Sequence, residues 1–304
     1  MTPGCEVTHV SDYMLRIISK EAGVRGLACV TTELVTDAAR RHQTLPVATA
    51  VLGYGLTAGA LLGGLLKVQQ RVALRVSGSG PIKKLVVESD SYGRVRGYVT
   101  PVDVWSPLPI GREEVRAAVG DQGLLSVVKD LRVKDLYEGV VPLQSGLLDV
   151  DLTYSLMMSE QTPSVVEIGV ELDRVGQITI AGGLLLQTLP GQDASILRLL
   201  VERLDDLPPL GEVLAGGEAP QQVIAALFAG TEYEILETYP LEFRCTCSRE
   251  RSKIALNLLD RSDWQALRSE GEAVVECHFC HERYVFDGAE LESLVEQPAS
   301  DSEQ

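Results

Sequence analysis

The spacing of apolar and polar positions changes period several times along the chain, and each change predicts an element. In "YMLRIISKEAGVRGLACVTT", residues 13–32, two β-prone apolar runs flank the turn-forming Glu21-Ala22-Gly23, which predicts paired strands. "TELVTDAARRH" then repeats apolar positions at helical spacing. Residues 71–101, "RVALRVSGSGPIKKLVVESDSYGRVRGYVTP", read as strands broken at Gly78, Gly80-Pro81 and Ser91-Tyr92-Gly93, a pattern that suits antiparallel hairpins. "DLYEGVVPLQSGLLDVDLTYSLMMSEQTPS" predicts a turn and then a helix ending before Pro163, and "VVEIGVELDRVGQITIAGGLLLQTLPG" returns to strands. Helices and strands are interspersed without βαβ alternation, so the predicted class is α+β with an antiparallel sheet and packed helices.

Beyond Gly191 the pattern becomes a series of short amphipathic helices interrupted by Pro208-Pro209, Gly216-Gly217 and Pro220. Residues 201–240 carry eight acidic side chains against the single Arg203, yet leucines, isoleucines and Phe228 recur at helical spacing. Such a segment folds poorly alone and well against a sheet. The expected organisation is an α+β core over residues 1–191, an acidic helical linker over 192–240, a small cysteine-bearing domain over 241–295 and a disordered tail over 296–304.

Residues 45–67, "LPVATAVLGYGLTAGALLGGLLK", are uncharged until Lys67 and long enough to span a bilayer. The stretch is diluted by Gly, Ala and Thr and lacks flanking aromatic belts, so a buried core helix packed through small residues is expected, with no membrane partner. A net charge of −16 and a pI near 4.7 argue against broad binding to nucleic acid or acidic lipid. The start, "MTPGCEVTHVSDYMLR", has no basic-then-apolar signal, which points to the cytoplasm. "GSGPIKK" lacks the Gly-Lys-Ser/Thr ending of a phosphate-binding loop and reads as a turn between strands.

The candidate chemistry lies in "FRCTCSRE" and "VVECHFCHERYVF". Cys245 and Cys247, 29 intervening residues, then Cys277 and Cys280 supply four soft thiolates, the complement of a closed tetrahedral zinc site. His278 and His281 read as surface histidines around the metal turn. Arg244, Arg249 and Arg251 are expected to lower the cost of thiolate. Cys5 and Cys29 have no evident partner. Zinc folds such a lobe, and peroxide or hypochlorous acid attacks exposed thiolates, so oxidation offers an order–disorder switch. Two rivals remain open. Residues 244–268 carry a net of three positive charges, as a zinc-ribbon RNA binder would, but without an aromatic stacking platform. A thiol–disulfide oxidoreductase would use Cys277-His278-Phe279-Cys280, but that motif normally opens a helix, and here the chain returns to strand.

These residues bring a resemblance into view. "FRCTCSRERSKIALNLL" with "VECHFCHERYVF" is similar to the zinc-binding, redox-regulated heat-shock chaperone family of thirty-three kilodaltons, a bacterial holdase family. "GSGP", "GRVRGYV", "YEGVVPLQSG", "YSLMMSEQTPS" and "AGGLLLQTLPG" match its core signatures in the same order. One departure is the absence of a basic residue near Tyr54. The resemblance implies a non-enzymatic chaperone that holds one zinc ion per chain through Cys245, Cys247, Cys277 and Cys280 when reduced. It implies that oxidation forms Cys245–Cys247 and Cys277–Cys280 disulfides, releases zinc and unfolds the zinc domain and linker. A homodimer would then bind unfolding client proteins without ATP.

Overall fold

Strand β1 (Tyr13–Ser19) and strand β2 (Val24–Val30) form an antiparallel hairpin in the computed structural model, which describes residues 11–295. The turn closes on Gly23 at φ +61°, where an added Cβ would lie 2.7 Å from Gln192 Cγ, so glycine is demanded twice over. Helix α1 (Thr32–His42) follows directly. Its first turn is capped from outside, because Asp12 accepts the N–H groups of Glu33 at 3.1 Å and Leu34 at 2.7 Å. Burial pushes the Asp12 carboxyl up to about 6 despite those bonds.

Helix α2 (Pro46–Gly64) starts with proline in its first turn and runs through the apolar stretch. It is the one helix among the described residues long and apolar enough to cross a membrane, and it is wholly buried. Its small residues let strands approach closely. A Cβ on Gly55 would come within 2.7 Å of Leu85 Cδ1, and one on Gly183 within 2.7 Å of Thr57 Cγ2. The Gly55→Val variant is therefore expected to lose about 3 kcal/mol by overpacking. A urea titration of the two proteins measures it, and equal midpoints would refute the close packing. Tyr54, where the family resemblance departs, is buried beside Arg112, and burial pushes its hydroxyl up to about 12.

After α2 come strands β3 (Arg71–Gly78), β4 (Lys84–Asp90) and β5 (Arg94–Thr100), then helix α3 (Arg112–Val119). Strands β6 (Gly123–Asp130) and β7 (Tyr137–Pro142), helix α4 (Leu148–Glu160) and strands β8 (Ser164–Leu172) and β9 (Ile178–Thr188) follow. Helices α5 (Ser195–Asp205), α6 (Leu210–Ala215) and α7 (Pro220–Leu227) lead to strands β10 (Glu234–Pro240) and β11 (Glu242–Phe243). One five-stranded sheet has the order β10-β1-β2-β9-β8 and one six-stranded sheet the order β11-β5-β4-β3-β6-β7. All pairings are antiparallel except β11 with β5. The main core lies around α2, with Leu74, Leu85 and Val87 from one sheet and Met14, Cys29 and Leu185 from the other. The α+β class with antiparallel sheets and packed helices is thus the observed one.

Residues 192–240 hold α5, α6, α7 and β10. Leu197, Leu200, Leu210, Leu214, Ile224 and Phe228 form a second core against Leu15, Ile17, Val24, Leu184 and Leu186 on the outer face of the first sheet. Strand β9 is therefore buried on both faces, Leu185 inward and Leu184 and Leu186 outward, which explains why its sequence does not alternate. Arg203 Nη1 donates to Leu227 O at 2.6 Å and ties α5 to the end of α7. The acidic strand β10 pairs with β1, where Arg16 meets Glu237 at 3.1 Å and Lys20 meets Glu234 at 3.2 Å.

One local expectation needs correction. The stretch before α4 was expected to be a turn, but it contains β7. That strand lies at a sheet edge and turns only Gly139 and Val141 inward, so its apolar signal is weak. Residues 249–270 form two helices, α8 (Arg249–Leu256) and α9 (Arg261–Glu270), because Asp260 caps a new start by accepting from Asp263 N at 2.9 Å. The expected tail at 296–304 and Cys5 lie outside the described residues.

Candidate metal centre

The chain divides into two compact units between Arg244 and Cys245. The second contains α8, α9, strands β12 (Glu272–Glu276) and β13 (Arg283–Asp287), and helix α10 (Gly288–Val295). Its fully formed core is small: Leu256, Ala273, Phe286 and Leu291, with Trp264, Leu267 and Tyr284 packed at its margin. A core of this size holds a lobe weakly without a covalent or metal staple.

The two cysteine pairs sit on different backbone, Cys245 and Cys247 on an irregular segment leading into a helix and Cys277 and Cys280 at a turn. Cys245 and Cys247 precede Ser248, whose Oγ accepts from Arg251 N at 3.3 Å and caps α8. Cys277 and Cys280 form the turn of the β12–β13 hairpin, in which Glu276 opposes Arg283 and Val275 opposes Tyr284. Cys277 O accepts from His281 N at 2.8 Å, and Cys277 N donates to Glu282 O at 3.0 Å. His281 takes φ +58° to complete the turn, and its Nδ1 lies 2.5 Å from Glu276 Oε1. It therefore faces a carboxylate, and the donor set that converges is four sulfurs.

The four Sγ atoms lie within 4.8 Å of one another. Cys245 Sγ is 3.7 Å from Cys277 Sγ, and Cys247 Sγ is 3.3 Å from Cys280 Sγ. Four thiolates about 2.3 Å from a central zinc ion would have sulfur–sulfur edges of about 3.8 Å. Burial, and then the neighbouring cysteines, push the Cys277 and Cys280 thiols up, so four thiolates together need a cation among them. The residues fit a tetrahedral thiolate metal. The fifth free cysteine among the described residues, Cys29, is fully buried in β2, where burial holds it as a thiol.

The arginines expected to favour thiolate bond elsewhere. Arg249 Nη2 donates to Val285 O at 2.7 Å and to the Glu290 carboxylate at 2.7 and 2.8 Å, and its guanidinium lies 4.4 Å from the centre of the Phe286 ring. Arg251 donates to Thr246 O and Oγ1 at 2.9 Å, and Arg244 pairs with Glu242 at 3.7 Å. These groups brace the backbone around the sulfurs, because a planar five-donor head suits carboxylates and carbonyls better than a thiolate. Sequence reasoning missed Tyr284, whose hydroxyl donates to Cys247 Sγ at 3.3 Å. That bond, above other causes, pushes the Tyr284 hydroxyl up. Its only signal was a tyrosine four residues after the last cysteine.

Residues 12–287 match the family model described as Hsp33 protein. The chain belongs to the Hsp33 protein family. It is 43% identical over 291 residues to the 33 kDa chaperonin of Citrifermentans bemidjiense, covering 95% of this chain and 99% of that one. It is 42% identical over 287 residues to the 33 kDa chaperonin of Geobacillus kaustophilus, covering 94% and 98%. The crystal structure of the 33 kDa chaperonin (heat shock protein 33 homolog) of Thermotoga maritima superposes with a TM-score of 0.86 at 34% identity, covering 95% of this chain and 98% of that one. Family membership makes the protein a chaperone in the broad sense, and its four-cysteine cluster is a place where a metal ion fits.

Proposed function

We propose that this Hsp33 family member is a redox-regulated, ATP-independent holdase of the bacterial cytoplasm that binds unfolding proteins after its cysteines are oxidised. In the reduced protein, Cys245, Cys247, Cys277 and Cys280 hold one zinc ion per chain. Zinc, when bound, supplies the positive charge and tetrahedral template that four clustered thiolates require. Oxidation joins Cys245 to Cys247 and Cys277 to Cys280. Each disulfide takes two thiolates and one peroxide; a sulfur–sulfur bond forms, the peroxide oxygen–oxygen bond breaks, and two hydroxide ions leave.

The observation that carries this reading is the union of four converging sulfurs with a lobe core of four buried apolar residues among those described. Pairing between sequence neighbours is also what a switch requires. A Cys245–Cys277 bond would staple halves of the lobe 32 positions apart and stabilise it, whereas the two local bonds leave the halves free to separate. The linker at 192–240 would then leave the core domain of 1–191, exposing Leu15, Ile17, Val24, Leu184 and Leu186 as a client surface. Its acidic side chains keep the opened chain soluble, and a homodimer doubles the surface offered to a client.

The test is light scattering from a heat-unfolding client, with this protein reduced and zinc-loaded or treated with peroxide at raised temperature. Suppression by the oxidised form alone, with zinc in solution and Cys245–Cys247 and Cys277–Cys280 disulfides in the peptide map, supports the reading. Equal inertness of both forms with zinc retained would refute it.

A further inference from the structure

We propose that Tyr284 is a positioning residue of the redox switch, its hydroxyl holding the Cys247 sulfur in place and slowing the attack of that thiolate on peroxide. This inference rests on the switch reading above and adds a control element to it. Tyr284 and Phe286 are two apart on β13 and lie on the same face of the strand. Phe286 is fully buried in the lobe core, beneath the Arg249 guanidinium, so the strand cannot rotate about its axis. Tyr284 is thereby delivered to Cys247 across 37 positions of sequence, with its oxygen 3.3 Å from the sulfur.

The cysteines of the hairpin turn are held differently. Cys277 and Cys280 sit in a turn held by backbone bonds, with the N–H groups of Cys280 and His281 donating to Cys277 O at 3.3 and 2.8 Å. Those bonds come with the turn itself and do not depend on the side chains. At Cys247 the donor is a side-chain hydroxyl, which a substitution can add or delete while keeping the aromatic ring. A hydrogen bond donated to a thiolate occupies a lone pair, orients the sulfur and lowers its donor strength, because the donor's positive hydrogen draws off electron density.

That lone pair is the one peroxide needs. In the first step Cys247 attacks one peroxide oxygen; a sulfur–oxygen bond forms, the oxygen–oxygen bond breaks, and hydroxide leaves behind a sulfenic acid. A neighbouring thiolate then attacks the sulfenic sulfur and expels a second hydroxide, completing the disulfide. With Tyr284 in place, attack from Cys247 must first give up the hydroxyl bond, so weak oxidant fails to open the lobe.

The experiment compares the full-length protein with Tyr284→Phe, each reduced and metal-loaded. Three quantities are read: zinc release on peroxide with a chelating dye, alkylation of each cysteine by mass spectrometry, and the sulfur-to-metal charge-transfer band after cobalt substitution. The variant is expected to release zinc on the order of tenfold faster. The gain in alkylation falls on Cys247, and the cobalt band moves to lower energy because the sulfur orbitals rise when the hydrogen bond is lost. Unchanged rates, or equal acceleration at all four cysteines, would overturn the proposal, since a merely structural tyrosine would loosen the whole lobe. If the unsubstituted protein neither binds zinc nor loses it to peroxide, the switch reading fails first; if it does both and the variant behaves identically, this inference alone fails.

Discussion

Chelating the metal from the reduced protein is expected to unfold residues 245–295 while the two-sheet unit stays folded. Among its described residues the lobe has a core of four buried apolar side chains, and its braces, Arg249 to Glu290 and Arg249 over Phe286, involve a partly exposed guanidinium. Exposed pairs of this kind contribute about 1 kcal/mol or less. Structural zinc sites contribute on the order of 10 kcal/mol, so the metal term decides whether the lobe folds. Hydrogen exchange should show amides of β12 and β13 losing protection by several orders of magnitude on chelation. Amides of β2 and β9, central in the first sheet, should keep theirs. The Cys245→Ser and Cys277→Ser variants should show the same loss with weakened zinc affinity in titration. Intact protection of β12 and β13 without metal would mean that the lobe core suffices.

The second large effect is expected at Phe228. Its ring is 2% exposed, lies 5.4 Å from that of Tyr233, and packs with Leu227 and Ile224 over the first sheet. Truncating a buried phenylalanine costs roughly 3–5 kcal/mol, and placing a carboxylate there costs more. The local helices α5–α7 are short, and α6 has only six residues, so they depend on this face rather than on their own propensity. Phe228→Asp should therefore lift them while the core around α2 remains. The reduced, zinc-loaded variant is expected to bind a hydrophobic dye and suppress client aggregation without oxidant. A variant that stays as inert as the parent, with protected amides in α5–α7, would show that this face is not the client surface.

The cysteine cluster was the most legible part of the chain, because cysteine spacing is local within each pair and few other cysteines occur. The core helix was legible for a similar reason: the twenty-two uncharged positions of residues 45–66, diluted by glycine, leave few places other than a tightly packed interior. Strand β7 was not, since a short edge strand exposes half its side chains and gives a weak pattern. The purpose of the arginines near Cys245 was misread because charge near a thiolate in sequence says nothing about where a long side chain points. Arg249 reaches Glu290, 41 positions away.

The sequence by itself determined the α+β class, the buried character of residues 47–64 and which four cysteines cluster. Each follows from periodicity or spacing within a few dozen residues, where sterics and ligand geometry leave little choice. Only the tertiary structure decided that β10 closes the edge of the first sheet against β1, that β9 is covered on both faces, and that Tyr284 meets Cys247. Those contacts join segments that local preference cannot relate. Ser19 and Glu232 meet across 213 positions, for example, and the order of such encounters is set by the packing of whole layers.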